Sequence, residues 1–355
     1  MPTGGGINFA TTRPTTLTAD DGGYTMVDTT TRELIRWNGT VWVVLLGGAA
    51  IGLKQLSANL DIYINPNTGD DSFDGSSAKP FKTISKAVRY VYTGLDLNNF
   101  SVIIHLSSNT NATTVYPPQK ISFIGYPTGF GPDSKITLQG DLIDQSSMPI
   151  IQVDKDNWYG VLITSGASVV IRNIKLQIVG DFSSITAATG GLWVIGLYVT
   201  HGGSVDIFNV DFGNFATGNI DISSFHMRAD ASGSIWVSNG ANSTTNPSYY
   251  ISGVATVHAT ANASSNITYQ SLYKTDVKIT NSCSFVDTFQ AVSGSEIYLI
   301  YGSWTSNVGV TVTAANKGLA YKLGIISGTV LNDPQAITGV PGTAGWVTQS
   351  GGILL

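Results

Sequence analysis

The sequence predicts a mainly β chain: a parallel β-helix with an N-terminal capping helix, a small N-terminal β module and a C-terminal β region. Three observations lead there. The first is composition. Only 12% of the 355 residues are charged, against about a quarter in ordinary domains, and glutamate occurs only at Glu33 and Glu296. Thr, Ser, Asn, Gly, Val, Ile and Tyr dominate, which is a vocabulary of strands and turns. The second is an internal repeat in the middle of the chain. The third is a lone amphipathic helix ahead of it.

The N-terminal module, residues 1–55 with its linker, reads as a β meander. Asn38-Gly39 is a strong hairpin turn between Leu34–Trp37 and Val41–Leu45. Trp37 and Trp42 flank it and are expected in the core of this small unit. The run Gly47-Gly48-Ala49-Ala50-Ile51-Gly52 reads as a hinge.

Residues 56–94 lead into the repeat. Asp70, Ser72, Asp74 and Gly75 match the first half of a calcium loop, but the twelfth position, where a bidentate Glu belongs, is Phe81. No metal is therefore expected. Pro80 suits a first helical turn. After it Phe81, Ile84, Val88 and Val91 form one apolar stripe, with Gly94 as the C-cap. A helix over about Pro80 to Thr93 would cover the open end of a β stack, and the acidic turn would favour its N-terminus.

Residues 95–305 carry the repeat. Gly160–Leu176 (GVLITSGASVVIRNIKL) aligns without a gap to Gly196–Phe212 (GLYVTHGGSVDIFNVDF). Weaker copies are 233–239, 275–281 and 289–301, with short related strands at 120–125 and 135–140. Alternation turns Val169 and Ile171, Val205 and Ile207, Ile235 and Val237, Val277 and Ile279, and Ile297 and Leu299 to one side. Asn173, Asn209, Asn239 and Asn281 follow as corner residues, because Asn tolerates the left-handed conformation. His201 replaces Ser165 at an equivalent corner. No unit can bury its apolar side alone, whereas stacked units bury one continuous column. Residues 306–355, with alternating Val308, Val310 and Val312 and an apolar end at Ile353-Leu354-Leu355, read as a β region closing the far end and holding subunits together.

Tyr63-Ile64-Asn65-Pro66, Gly69-Asp70-Asp71, Asp74-Gly75, Pro80-Phe81 and Thr83–Val88, taken as one block, resemble the opening segment of pectate-lyase-like right-handed, single-stranded β-helix proteins. That segment is common in bacteriophage tailspikes. Gly23–Val43 resembles short β modules of phage tail and fibre proteins. The resemblance implies a homotrimeric tailspike or tail fibre. Its N-terminal module would dock on a tail, baseplate or portal-adaptor protein. The shaft would meet host surface polysaccharide outside the cell, after synthesis in the host cytoplasm. It leaves open whether the glycan is cleaved.

Several alternatives are excluded or disfavoured. A formal charge of −5 offers no basic footprint for nucleic acid. No window approaches the roughly 18 apolar residues of a membrane span, so no insertion is expected. The N-terminal MPTGGGINFATTRP has neither a basic nor an apolar leader region, so Sec export is not expected. Cys283 is alone and lies in an apolar alternation, as a buried inert thiol would. His105, His201, His226 and His258 show no ligand spacing, no phosphate-binding or hydrolase motif is present, and no cofactor is expected.

Chemistry could sit on the outward rows of the aligned strands: Val170, Asp206, Trp236, Lys278 and Tyr298, beside Arg172, Phe208, Ser238, Thr280 and Ile300. These rows suit either sugar stacking or a subunit contact. Glycoside hydrolysis needs two carboxyl groups roughly 5–9.5 Å apart. The candidates are Asp154 and Asp156, in a loop with Trp158 and Tyr159; Asp206 and Asp211, flanking Asn209; and Glu296. Trp158, Tyr159, Tyr198, Trp236 and Tyr298 are the carbohydrate-binding candidates.

Overall fold

The computed structural model describes residues 8–10, 12, 14–18, 24–28, 33–46, 53–107, 114–182, 193–219, 222–238, 249–269, 275–299, 302–322, 324–327, 340–343 and 346–355. Asn8–Ala10, Thr25–Asp28, Glu33–Trp37 and Trp42–Leu46 form one sheet in that order, parallel at its first pair and antiparallel thereafter. Its hairpin turns at Asn38-Gly39 as expected. The Asn38 side chain accepts from the amides of Thr40 and Val41, Gly39 has φ +100°, and the Trp37 and Trp42 rings meet edge-on at 5.6 Å. The hinge at 47–52 lies outside the described residues.

Among the described residues the rest is a parallel β-solenoid with three walls. The first wall has ten strands, from Leu60–Ile64 to Ile353–Leu354. The second has seven, from Val115–Tyr116 to Gly302–Ser306. The third has eight, from Ser122–Ile124 to Trp346–Gln349. The chain visits them in rotation: Ser168–Arg172 on the first, Lys175–Ile178 on the second, Trp193–Val199 on the third, then Ser204–Phe208 back on the first. On the first wall two apolar columns stack in register. One is Val102, Ile136, Val169, Val205, Ile235, Ile267 and Ile297; the other is Ile104, Leu138, Ile171, Ile207, Val237, Tyr269 and Leu299. All are buried. Stacking removes each strand's apolar side from water, the main favourable contribution to such a fold.

Corners explain why the repeat is so regular. Between the third and first walls each turn uses two successive left-handed residues: Ser165-Gly166, His201-Gly202, Ala231-Ser232, Ala263-Ser264 and Ser293-Gly294, with φ from +43° to +84°. The turns stack, the second residue of each of the first four donating its amide to the next coil at 3.2–3.3 Å. Between the first and second walls Asn173 and Asn209 are left-handed, and the Asn209 amide donates to Asn173 Oδ1 at 2.8 Å. Asn239 lies outside the described residues. Asn281 departs from expectation: it follows a second-wall strand and has no left-handed φ, and its amide instead donates to the Ser252 carbonyl at 3.0 Å.

That displacement reflects a coil the repeat alignment skips. Thr275–Ile279 lies on the second wall, and the first-wall strand at that level is Asn266–Tyr269. Val277 and Ile279 do point inward, but from a different side. At the far end the coils do not stop at residue 305. Val312–Tyr321 and Trp346–Gln349 extend the third wall, and Ile325–Ser327 and Ile353–Leu354 extend the first. Val308, expected in a strand, is fully exposed in a turn.

Helix α1 spans Ile84–Gly94, shorter than the expected Pro80–Thr93 at its start. Thr83 is the N-cap, its hydroxyl accepting the Lys86 amide at 3.1 Å. Pro80 and Phe81 precede the helix, and Phe81 bridges Ile64. Gly94 is the last helical residue and Leu95 the C-cap. Phe81, Ile84, Val88 and Val91 are 0–4% exposed and belong to the core cluster. The acidic turn serves the backbone. Asp71 accepts from the amides of Lys82 and Thr83 (3.0 and 2.9 Å) and from the Thr83 hydroxyl (2.8 Å), while Asp70 and Asp74 accept from the amides of Ser72 and Ser76.

One polar net lies inside the solenoid. His226 Nδ1 meets His258 Nδ1 at 2.9 Å, His226 Nε2 meets the Gly213 carbonyl at 3.1 Å, and His258 Nε2 meets the Tyr249 hydroxyl at 2.8 Å. Only one proton arrangement satisfies these contacts with neutral rings. His226 Nε2–H donates to the carbonyl, His258 Nδ1–H donates to His226 Nδ1, and the Tyr249 hydroxyl donates to His258 Nε2. Tyr269, 3.3 Å from the Tyr249 oxygen, continues the chain. Burial pushes His226 down to about 3 and His258 well below the usual histidine range. Cys283 is buried too, and burial raises its thiol to about 11.

Candidate functional site

The first wall turns alternate side chains outward, and stacking places them in rows. One row reads Val170, Asp206, Trp236, Thr268 and Tyr298; a parallel row two residues earlier reads Ser168, Ser204, Ser234, Asn266 and Glu296. Toward the C-terminal end of these rows, Trp236, Asn266, Thr268, Glu296 and Tyr298 line a shallow groove of about 330 Å³. Trp236 and Tyr298 are 41% and 37% exposed, so each ring offers a free face. They sit two strands apart, about 9.6 Å along the solenoid. Thr268 lies between them. Lys278, expected in this row, belongs instead to the second wall beside Tyr250, because of the skipped coil. Thr280 likewise follows the second-wall strand, and Ile300 lies outside the described residues.

The polar floor is partly committed and partly open. The Ser327 hydroxyl donates to Glu296. Asn266 Oδ1 is buried and has no hydrogen-bond partner among the described residues, which costs about 1–3 kcal/mol. Asp206 adjoins Trp236 on the next coil. It accepts the Ser238 hydroxyl at 2.6 Å, and burial raises its carboxyl above the usual range, against the opposing hydrogen bond and Lys135.

The groove therefore unites three of the sequence candidates, Trp236, Glu296 and Tyr298, with Asp206 as a neighbour. It does not pair carboxylates for hydrolysis. Asp206 and Glu296 are three strands and two residues apart in register; this puts their Cα atoms about 16 Å apart, beyond the roughly 9.5 Å limit.

The other candidates lie elsewhere. Asp154 builds the turn before the third wall, accepting from the amides of Asp156 and Asn157 and from the Asn157 side chain. Asp156 pairs with Lys155 at the surface, at 2.7 Å. Trp158 sits in that turn with φ +59°. Tyr159 and Tyr198 pack on the outer side of the third wall against Ile195, Phe225 and Val257. Asp211 is on the second wall with its side chain only 1% exposed. It binds Lys175 (3.2 Å), Ser252 (3.0 Å) and Gln145 (3.1 Å), and Gln145 also reaches Thr280 (3.0 Å). This cluster pins the segment around Gln145–Ser147 across the second wall. Asn266 and Thr268 are the groove residues that sequence reasoning missed.

No family model matches the chain. No curated protein matches it either. Among solved structures it is similar to the GH136 lacto-N-biosidase from Eubacterium ramulus. The selenomethionine form aligns at 11% identity with a TM-score of 0.35. The native form aligns at 10% with 0.32. Each alignment covers 82% of this chain and 67% of that one.

A second polar cluster occupies the opposite end of the first wall. His105 lies between Asp61 and Asp141, each at 3.0 Å, and stacks on Tyr63 at 4.7 Å. Gln139 touches the same ring and accepts Arg172 Nε at 2.6 Å. The hydrogen bond to Asp141, reinforced by Asp61, raises His105 above the usual histidine range against its partial burial. These groups satisfy one another.

Proposed function

We propose that the chain is the receptor-binding spike of a phage tail, which attaches the virion to host surface polysaccharide through the groove of Trp236, Asn266, Thr268, Glu296 and Tyr298. The observation that carries this reading is the pairing of two free aromatic faces in one row with a carboxylate beside them. Sugar C–H faces stack on such rings, and sugar hydroxyls donate to Glu296. The phage setting rests on the resemblance of residues 63–88 and 23–43 described above. In it, residues 1–55 dock on a virion protein and three chains assemble, so that several weak sugar contacts add through effective concentration.

Among the described residues Glu296 has no second carboxylate at hydrolase distance, so the groove is read as a glycan-binding site. Host polysaccharide binding, followed by calorimetry, should weaken about tenfold or more in Trp236→Ala and in Tyr298→Ala. Unchanged affinity in both variants would remove the groove from recognition. Reducing-end release that persists in wild type and vanishes in Glu296→Gln would replace binding by hydrolysis. Light scattering should report a trimer; a stable monomer at micromolar concentration would argue against the spike.

A further inference from the structure

We propose that a second groove, between α1 and the first strand of the third wall, binds an extended acidic peptide by strand addition, independently of the glycan groove. The strand Ser122–Ile124 is the outermost of its sheet and pairs on one side only, with Tyr159–Thr164. On that side the Leu162 amide donates to the Ile121 carbonyl (2.9 Å) and the Gly125 amide to the Thr164 carbonyl (3.0 Å). Peptide groups alternate sides along a strand, so Ser122 and Ile124 present their N–H and C=O to the other side, as an open sheet edge does.

Helix α1 stands across that edge. The Ser85 hydroxyl donates to the Lys120 carbonyl (2.6 Å) and the Tyr92 hydroxyl to the Gly125 carbonyl (3.1 Å). These bonds hold the helix at both ends of the edge, with a groove of about 340 Å³ between. A free strand edge beside a helix can give an added strand main-chain bonds on one flank and side-chain contact on the other. Val88, Tyr92 and Ile124 supply the apolar lining, and Ile124 is 57% exposed. Arg89 and Lys120, both exposed, line the same groove, and neither has a carboxylate partner among the described residues. Two unpaired cations at one groove of a chain with net charge −5 select an acidic occupant.

The test uses the full chain and a fluorescein-labelled, acetylated Glu-Val-Glu-Val-Glu-Val peptide, followed by anisotropy at low ionic strength. Saturable binding is expected, weakened at least about tenfold in Arg89→Ala/Lys120→Ala and unchanged in Trp236→Ala. Hydrogen exchange at the Ser122 and Ile124 amides should slow on binding. The same peptide N-methylated at every residue keeps its charge but loses its main-chain donors on both flanks, and should bind at least about tenfold more weakly. Absence of saturable binding, equal binding of the N-methylated peptide, or unprotected Ser122 and Ile124 amides would each overturn the proposal. Full displacement by oligogalacturonate with no penalty for N-methylation would show a site for carboxylates alone, and would overturn it equally.

Discussion

The solenoid holds two histidine clusters built by the same device, side chains from successive coils stacked against one another, and they have opposite electrostatic character. His226 and His258 lie inside, wholly buried, where no carboxylate among the described residues reaches them and burial keeps both rings neutral. His105 lies outside between Asp61 and Asp141, where hydrogen bonds favour the imidazolium. Stacking supplies proximity in both cases. Access to water decides what proximity does: inside, the rings must share protons among themselves; outside, they can hold one more.

The sharpest way to break the comparison is to interrupt the interior chain. His258→Ala leaves His226 Nδ1 and the Tyr249 hydroxyl without their partners and opens a cavity among Phe212, Phe285 and Trp304. A loss of about 3–5 kcal/mol is expected from the cavity and the orphaned groups together, read as a fall in the urea midpoint. A loss below about 1 kcal/mol would mean that the net contributes little beyond filling space.

The next effect is on the acid side. Unfolded histidines titrate near 6.5, whereas His226 falls to about 3 and His258 well below its usual range in the fold. Their neutral forms therefore contribute stability that is fully present above pH 6.5 and is lost as pH falls through the folded values. Unfolding between about pH 6 and pH 4 should take up close to two protons, measured from the pH dependence of the urea midpoint. His226→Phe should cut that uptake by about one; an unchanged slope would assign the acid limb to carboxylates instead.

Much of this fold is legible because its corners are written in residue types. Ser165-Gly166, His201-Gly202 and Ser293-Gly294 announce left-handed turns, and Asn173 and Asn209 announce the next corner. The coil through Ser264 is illegible for the same reason. Ala263-Ser264 adopts the same turn, with φ +52° and +60°, but carries no glycine to mark it. Skipping it moves Lys278 into the groove row and drops Asn266 and Thr268. A 32-residue spacing relates both Ile235 to Ile267 and His226 to His258, and following it would have restored the coil. The histidine pair itself breaks strand alternation, since His226 and Met227 are adjacent and both fully buried. Period-two reasoning assigns one of them to solvent. The groove was half visible, because aromatic residues in an outward row stand out, whereas carboxylate separations depend on the register between coils. Asp206 and Asp211, five residues apart, turn out to serve different walls.

The smallest predicted effect sharpens the exterior side. His105 has a raised value in the fold, so its contribution is fully present below the unfolded 6.5 and is lost as pH rises through the folded value. His105→Gln should remove stability at pH 5.5 and little at pH 9, the reverse of the interior pair. The magnitude is at most about 1 kcal/mol, because the Asp61 and Asp141 side chains are 54% and 39% exposed and water screens the pair. High salt should shrink the difference between wild type and variant further, since exposed charges are screened over about 10 Å at 0.1 M. An effect that instead grew with pH would place a neutral ring at His105, bonded through Gln139 in place of Asp141. The two clusters would then differ in exposure but not in charge.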